Sequence, residues 1–207
     1  MNKVLKTKIY NILREKNLSL RDLEKIIDYS RGGLSQMING ETSFSKSVKG
    51  NLLPILEISE EEFESWVVAS KYSPELIKKA VESSLQSHSE LVSKSQTLKQ
   101  VQGDRSVQGN KCHSEINSVS AQLVFTQNID KILSEKNMSR TALSKSIKYS
   151  QSALNKIIMG KKPVSKTVLT RISELFEIPI KELQAWVLAD KYSLAVLKLA
   201  LEANSQA

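Results

Sequence analysis

Slid against itself by 120 residues, the chain lines up "IYNILREKNLSLRDLEKIIDYS" with "IDKILSEKNMSRTALSKSIKYS", and the match runs without a gap from Val4/Val124 to Glu82/Glu202. Identity over that stretch is roughly 40%, which marks a duplicated module. At 207 residues the chain can bury one good core or two small ones, and a repeat of this length favours two. The natural division is residues 1–82 for the first module and 123–207 for the second. Residues 83–122 between them are rich in Ser and Gln, poor in aromatics, and carry Gly103 and Gly109. That composition reads as a polar linker, flexible at least in part, with a helix continuing through Leu85 or a small hairpin around "VQGDRSVQG" as local alternatives.

Within each copy the apolar spacing is helical. Val4, Leu5, Ile9, Ile12 and Leu13 form one stripe, repeated as Val124, Phe125, Ile129, Ile132 and Leu133, so each module opens with a helix of about four turns. Ser19/Ser139 and Ser30/Ser150 stand where N-caps of a second and third short helix are expected, and Gly40/Gly160 where the third helix should stop. A fourth helix follows Ser45/Ser165, a fifth Ser59/Pro179 and a sixth Ser73/Ser193. The "EEE" run at the start of the fifth suits the positive end of a helix dipole. No segment alternates with a period of two, so the expected fold class is all-α: two similar helical domains, each with an added C-terminal helix.

The chain carries a formal charge of +8 and a pI near 9.4, which favours a polyanionic partner. Lone Cys112 forms no internal disulfide, and no stretch reaches the roughly 20 apolar residues of a membrane span. "MNKVLKTKIYNILREK" is an amphipathic helix pattern and not a signal peptide. The expected location is the cytoplasm. The charge is unevenly shared. Residues 1–82 hold 13 Lys and Arg against 12 Asp and Glu, whereas residues 123–207 hold 13 against 7. The second copy should therefore supply more of any attraction to phosphate.

Two short helices joined by a tight turn, the second followed by Gly and a polar or basic loop, form the pattern of a helix-turn-helix. The stretch "MSRTALSKSIKYSQSALNKIIMGKKPVSKTVLTRISELFEIPIKEL" resembles the phage-repressor (Cro and lambda repressor, XRE-type) family of helix-turn-helix domains over about 55 residues of each copy. The resemblance implies double-stranded DNA as partner, with the third helix of the module in the major groove. By motif position, Gln151, Ser152, Asn155 and Lys156 would face base edges, Arg140 would meet a phosphate, and Lys161 and Lys162 would flank the backbone. In the first copy the corresponding set is Arg21, Arg31, Ser35 and Gln36. The chemistry is suitable, because Gln and Asn can pair with adenine and Lys or Arg with guanine.

The two copies also depart from the family. A small residue usually occupies the middle of the second helix and Gly the turn; here Glu24 and Asp28 stand there in the first copy, Ser144 and Lys148 in the second. Glu24 must swing outward or find a partner, and Gly32 and Gly33 weaken the first copy's third helix. Other features have plainer readings. Trp66 and Trp186 fall at core spacing with Phe63/Leu183 and Val67/Val187. His88, Cys112 and His113 sit in the linker without a ligand pair, so no metal and no cofactor is expected. Neither a phosphate loop nor paired catalytic carboxylates appear in the sequence, so no enzyme is expected. The last helix is apolar nearly all round, which calls for cover on two faces. One would be its own domain, the other the matching first-module helix or a second chain in a homodimer. The resulting expectation is a sequence-specific DNA-binding regulator of bacterial, plasmid or phage origin, with two unequal modules acting as a pseudo-dimer. The competing reading is an adaptor that binds a protein of the transcription or replication machinery.

Overall fold

A computed structural model describes residues 3–30, 32–101 and 123–206, with side chains described for residues 3–30, 32–87 and 123–206. The described residues form twelve helices and no strand, in agreement with the all-α expectation. The first six are α1 (Val4–Glu15), α2 (Leu20–Ile26), α3 (Gly33–Ile38), α4 (Lys46–Leu56), α5 (Glu60–Lys71) and α6 (Pro74–Val101). The second six are α7 (Val124–Glu135), α8 (Arg140–Ser146), α9 (Gln151–Ile158), α10 (Lys166–Phe176), α11 (Ile180–Lys191) and α12 (Leu194–Ser205).

The same local devices end the helices in both copies. Asn17 and Asn137, Asp28 and Lys148, Gly40 and Gly160, and Glu57 and Glu177 all adopt positive φ at matching positions. Serine hydroxyls cap α2, α4 and α5 through Ser19, Ser45 and Ser59, and α8, α10 and α12 through Ser139, Ser165 and Ser193. Each satisfies an N–H that the first helical turn leaves free. The third helices differ from expectation here. Ser150 stands at the N-cap of α9 but its hydroxyl makes no cap bond, and in the first copy the N-cap is Gly32, not Ser30.

The described chain divides into two compact units, and these are not the contiguous halves 1–82 and 123–207 expected from the repeat. One comprises Met1–Lys78 with Tyr192–Ala207, the other Lys79–Lys191. Helix α6 also extends to Val101, so the segment read as linker begins as helix. Ile77, Ala80, Val81 and Ser84 are all buried, so the buried stripe of α6 runs across the repeat's end at Glu82. In the first unit α12 lies on α5. His88, Cys112 and His113 lie outside the described side chains.

The second unit's core gathers Phe125, Ile129 and Leu133 of α7, Leu143 of α8, Leu154, Ile157 and Ile158 of α9, Val168, Leu169 and Ile172 of α10, and Leu183 and Trp186 of α11. Trp66 is buried in the same way in the first unit. One polar contact differs between the units. The N-terminus of α1 is closed by Ser70, whose Oγ accepts from the Leu5 N–H at 2.8 Å. At the equivalent place in the second unit Asp190 accepts from the Phe125 N–H at 3.2 and 3.3 Å.

Burial pushes the Asp190 carboxyl up to about 6, against the N–H donors of Phe125 and Val124 that favour the anion. The ordinary carboxylate value is about 3.9, so between roughly pH 4 and 6 the folded state holds a proton that the unfolded state has lost. Stability from this group is therefore present below about pH 4 and lost as the pH rises to about 6, a loss of about 1–2 kcal/mol after allowance for partial solvent screening. Asp190→Ser, which installs the first copy's cap, should flatten the unfolding midpoint of the second unit across that window. Urea titrations at pH 4.5 and 7 check it, and an unchanged slope would count against the burial argument.

Candidate nucleic-acid interface

Helices α8 and α9 meet through a turn in which Lys148 takes the left-handed conformation, with φ 48°. The Tyr149 N–H donates to the Ser144 carbonyl at 2.9 Å and the Lys148 N–H to the Lys145 carbonyl at 3.1 Å, the paired bonds of a Schellman ending. A lysine in this conformation carries a steric penalty of about 1–2 kcal/mol that glycine would avoid. Arg171 on α10 offsets it. Its guanidinium donates to the carbonyls of Ile147 at 2.9 Å and Lys148 at 3.1 Å. This pairing has a signature in the sequence: position 51, the first copy's counterpart of Arg171, is Asn, in the copy whose turn residue is the more easily accommodated Asp28.

Helix α9 is fixed by Leu154, Ile157 and Ile158, all buried. Helical spacing then places Gln151, Ser152 and Lys156 outward, and all three are exposed. The helix ends on Gly160, with φ 68°. A side chain there would be strained and would collide with the Leu123 side chain. The Lys161 N–H, at 2.8 Å, and the Lys162 N–H, at 3.1 Å, both donate to the Lys156 carbonyl. This tight reversal sets Lys161 and Lys162 directly after the helix, both exposed.

Two of the expected site residues have internal partners, and a third is partly withdrawn. Arg140 does not stand free for a phosphate: its Nε and one terminal nitrogen donate to the Asp130 carboxylate at 2.9 and 2.5 Å. Such a two-pronged pair is strong because guanidinium and carboxylate match in geometry. Gln151 donates to Thr141 Oγ1 at 2.7 Å, a bond that orients its amide on the exposed side of α8 and α9. Asn155 is half-buried, and its Oδ1 is buried without a hydrogen-bond partner, so its amide is not displayed outward as expected. Leaving such an oxygen unpaired costs about 1–3 kcal/mol. Rotation toward an external donor would recover part of that.

The first copy is built differently at the same place. Its third helix is six residues long, against eight for α9, and begins after Gly32 with φ 87°. Glu24 found a partner instead of swinging out: buried in α2, it accepts from the Gly32 N–H at 3.1 Å. Gly33 is required by close packing, since a Cβ there would meet the Tyr29 ring at 2.7 Å. Ser35 is half-buried, Gln36 and Arg21 are exposed, and Arg31 lies outside the described residues. The carboxylate at the start of α3 thus occupies the end of the helix that would otherwise attract an anion.

Residues 128–188 match the Cro/C1-type HTH DNA-binding domain. The match spans the five helices α7 to α11 almost entirely, with the turn and α9 at its centre, and it supports DNA binding by an XRE-type helix-turn-helix. No curated protein and no solved structure matches the chain. No described helix is long and apolar enough to cross a membrane, and no cluster of metal-binding side chains occurs among the described residues.

Proposed function

We propose that the protein is a sequence-specific double-stranded DNA-binding regulator of transcription, of bacterial, plasmid or phage origin, that works on the nucleoid. The observation that carries this reading is the exposed polar face of α9, with Gln151, Ser152 and Lys156 beside the Gly160-Lys161-Lys162 reversal. Hydrogen-bonding side chains flanked by unpaired cations fit base edges between phosphates. Met159 is the one large apolar side chain exposed at this end of α9, which is too little for the apolar patch that a partner-binding adaptor would show.

The two copies act as an unequal pair: the second reads DNA, and the first adds a weaker contact to an unlike neighbouring half-site. Glu24 supports this inequality. In a chain already lacking Lys161 and Lys162, Glu24→Gln should raise residual DNA binding roughly three- to tenfold at low salt, since one anion beside the phosphates is removed. A titration on unrelated duplex DNA measures this; no gain would mean that the first copy stays clear of the backbone.

Selection of bound sequences from a random DNA pool tests the function itself. The intact chain should enrich a defined site. Asn155→Ala should blur one or two base positions by about 1–3 kcal/mol while leaving thermal stability unchanged or slightly higher, because the unpaired buried oxygen goes with it. Failure to enrich any sequence, with binding insensitive to salt, would refute DNA reading.

A further inference from the structure

Helix α5 is buried on two opposite sides. Phe63 and Trp66 lie on one, with the side chains that form the module core. Ser65 and Val68, roughly 140–160° away around the helix at about 100° per residue, are only 1% and 0% exposed. A helix-turn-helix module of five helices has nothing of its own to cover that second side. The cover is α12, which lies on α5 and buries Val196, Leu197, Ala200 and Ala203. Both helices bury small residues, Ser65 and Ala69 on α5 and Ala200 and Ala203 on α12, which suits a close approach of the axes.

The two ends of the C-terminal segment are tied to the same unit. Lys8 of α1 donates to Gln206 Oε1 at 3.0 Å. Tyr192, at the other end, sits near Lys49 and Glu64, themselves paired at 2.8 Å; burial and the Glu64 charge push its hydroxyl pKa up. Only Tyr192 and Ser193 separate α11 from α12. A connection this short ordinarily folds a helix back on its predecessor. Here the segment instead belongs to the unit of residues Met1–Lys78. The second unit has the corresponding buried face in Ala185 and Leu188, outside its main core cluster, and it includes α6 from Lys79 onward.

We propose that the Ser65/Val68 face of α5 is a helix-docking site whose ligand is the chain's own C-terminal helix, residues 192–207, so that the first unit is ordered only while α12 is seated. The C-terminal helix, which follows the second copy of the repeat in sequence, thus serves the first, and its apolar circumference is used within the chain instead of on a second one. The inference is independent of DNA binding.

The test uses the full-length chain carrying Leu197→Ala or Leu197→Asp and reads hydrogen exchange at amides 60–71 and 180–191. Leu197 is fully buried, so the alanine variant should lower protection at 60–71 by about thirtyfold or more, while 180–191 keeps most of its protection. A free peptide of residues 192–207, added to the Leu197→Asp chain, should restore protection at 60–71 in a saturable way; the same peptide carrying Leu197→Asp should not. Loss confined to 180–191, equal loss in both segments, or failure of the peptide to rescue would overturn the proposal.

Discussion

Replacing Lys161 and Lys162 together by alanine should weaken binding to every duplex alike, by roughly 10- to 100-fold at low salt, and should lower the slope of log affinity against log salt by about two. Both side chains are exposed and follow Gly160, whose left-handed conformation aims them beyond the end of α9. Neither supports the core, so the folded state should keep its stability. Lys156→Ala should behave differently. Its side chain leaves the exposed stripe of α9, and its loss should relax preference at one base position by about 1–3 kcal/mol with a smaller change in salt slope. Titrations of single and double variants on a selected site and on scrambled DNA, at three salt concentrations, separate the two effects. Equal losses that ignore salt would show that this loop does not hold phosphate.

Much of this arrangement is legible in the sequence. Helix positions followed from apolar spacing and serine caps, because both signals are local and both are written twice. The outward direction of Gln151, Ser152 and Lys156 followed from the inward direction of Leu154 and Ile157. What the sequence hid depends on long-range pairing. Arg140 looked free because its partner, Asp130, lies ten residues away on a different helix and has Tyr10 as its counterpart in the first copy. Asn155 looked like an open reader because spacing locates a side chain on a stripe but does not fix its rotamer. Glu24 was recognised as a misfit, but its solution, an N–H at the start of α3, depends on Gly32 taking a positive φ. The destination of α12 was the least legible. An all-round apolar helix announces two covered faces without naming the covers, and the symmetry of the repeat does not say which copy a terminal helix serves.

The attachment of α9 to its core gives the largest expected effect on folding and function together. Leu154 is 0% exposed and lies on the inward side of a helix whose exposed positions are Gln151, Ser152 and Lys156. Truncating it to alanine removes buried methyl groups and leaves a cavity, at a cost of about 2–5 kcal/mol. Because the same helix carries the side chains we propose to face bases, the loss should also loosen their geometry, and specific DNA binding should fall more steeply than nonspecific binding. Leu34, equally buried at 0%, is the control within the same chain. Leu34→Ala should destabilise the first unit by a similar amount, yet leave the preferred sequence of the second copy unchanged, since α3 carries Glu24 against its first turn and reads little. Thermal unfolding of both variants, together with titrations on the selected site well below their midpoints, provides the comparison. If Leu34→Ala erased sequence preference as completely as Leu154→Ala, base reading would belong to both copies equally, and the unequal pair would be wrong.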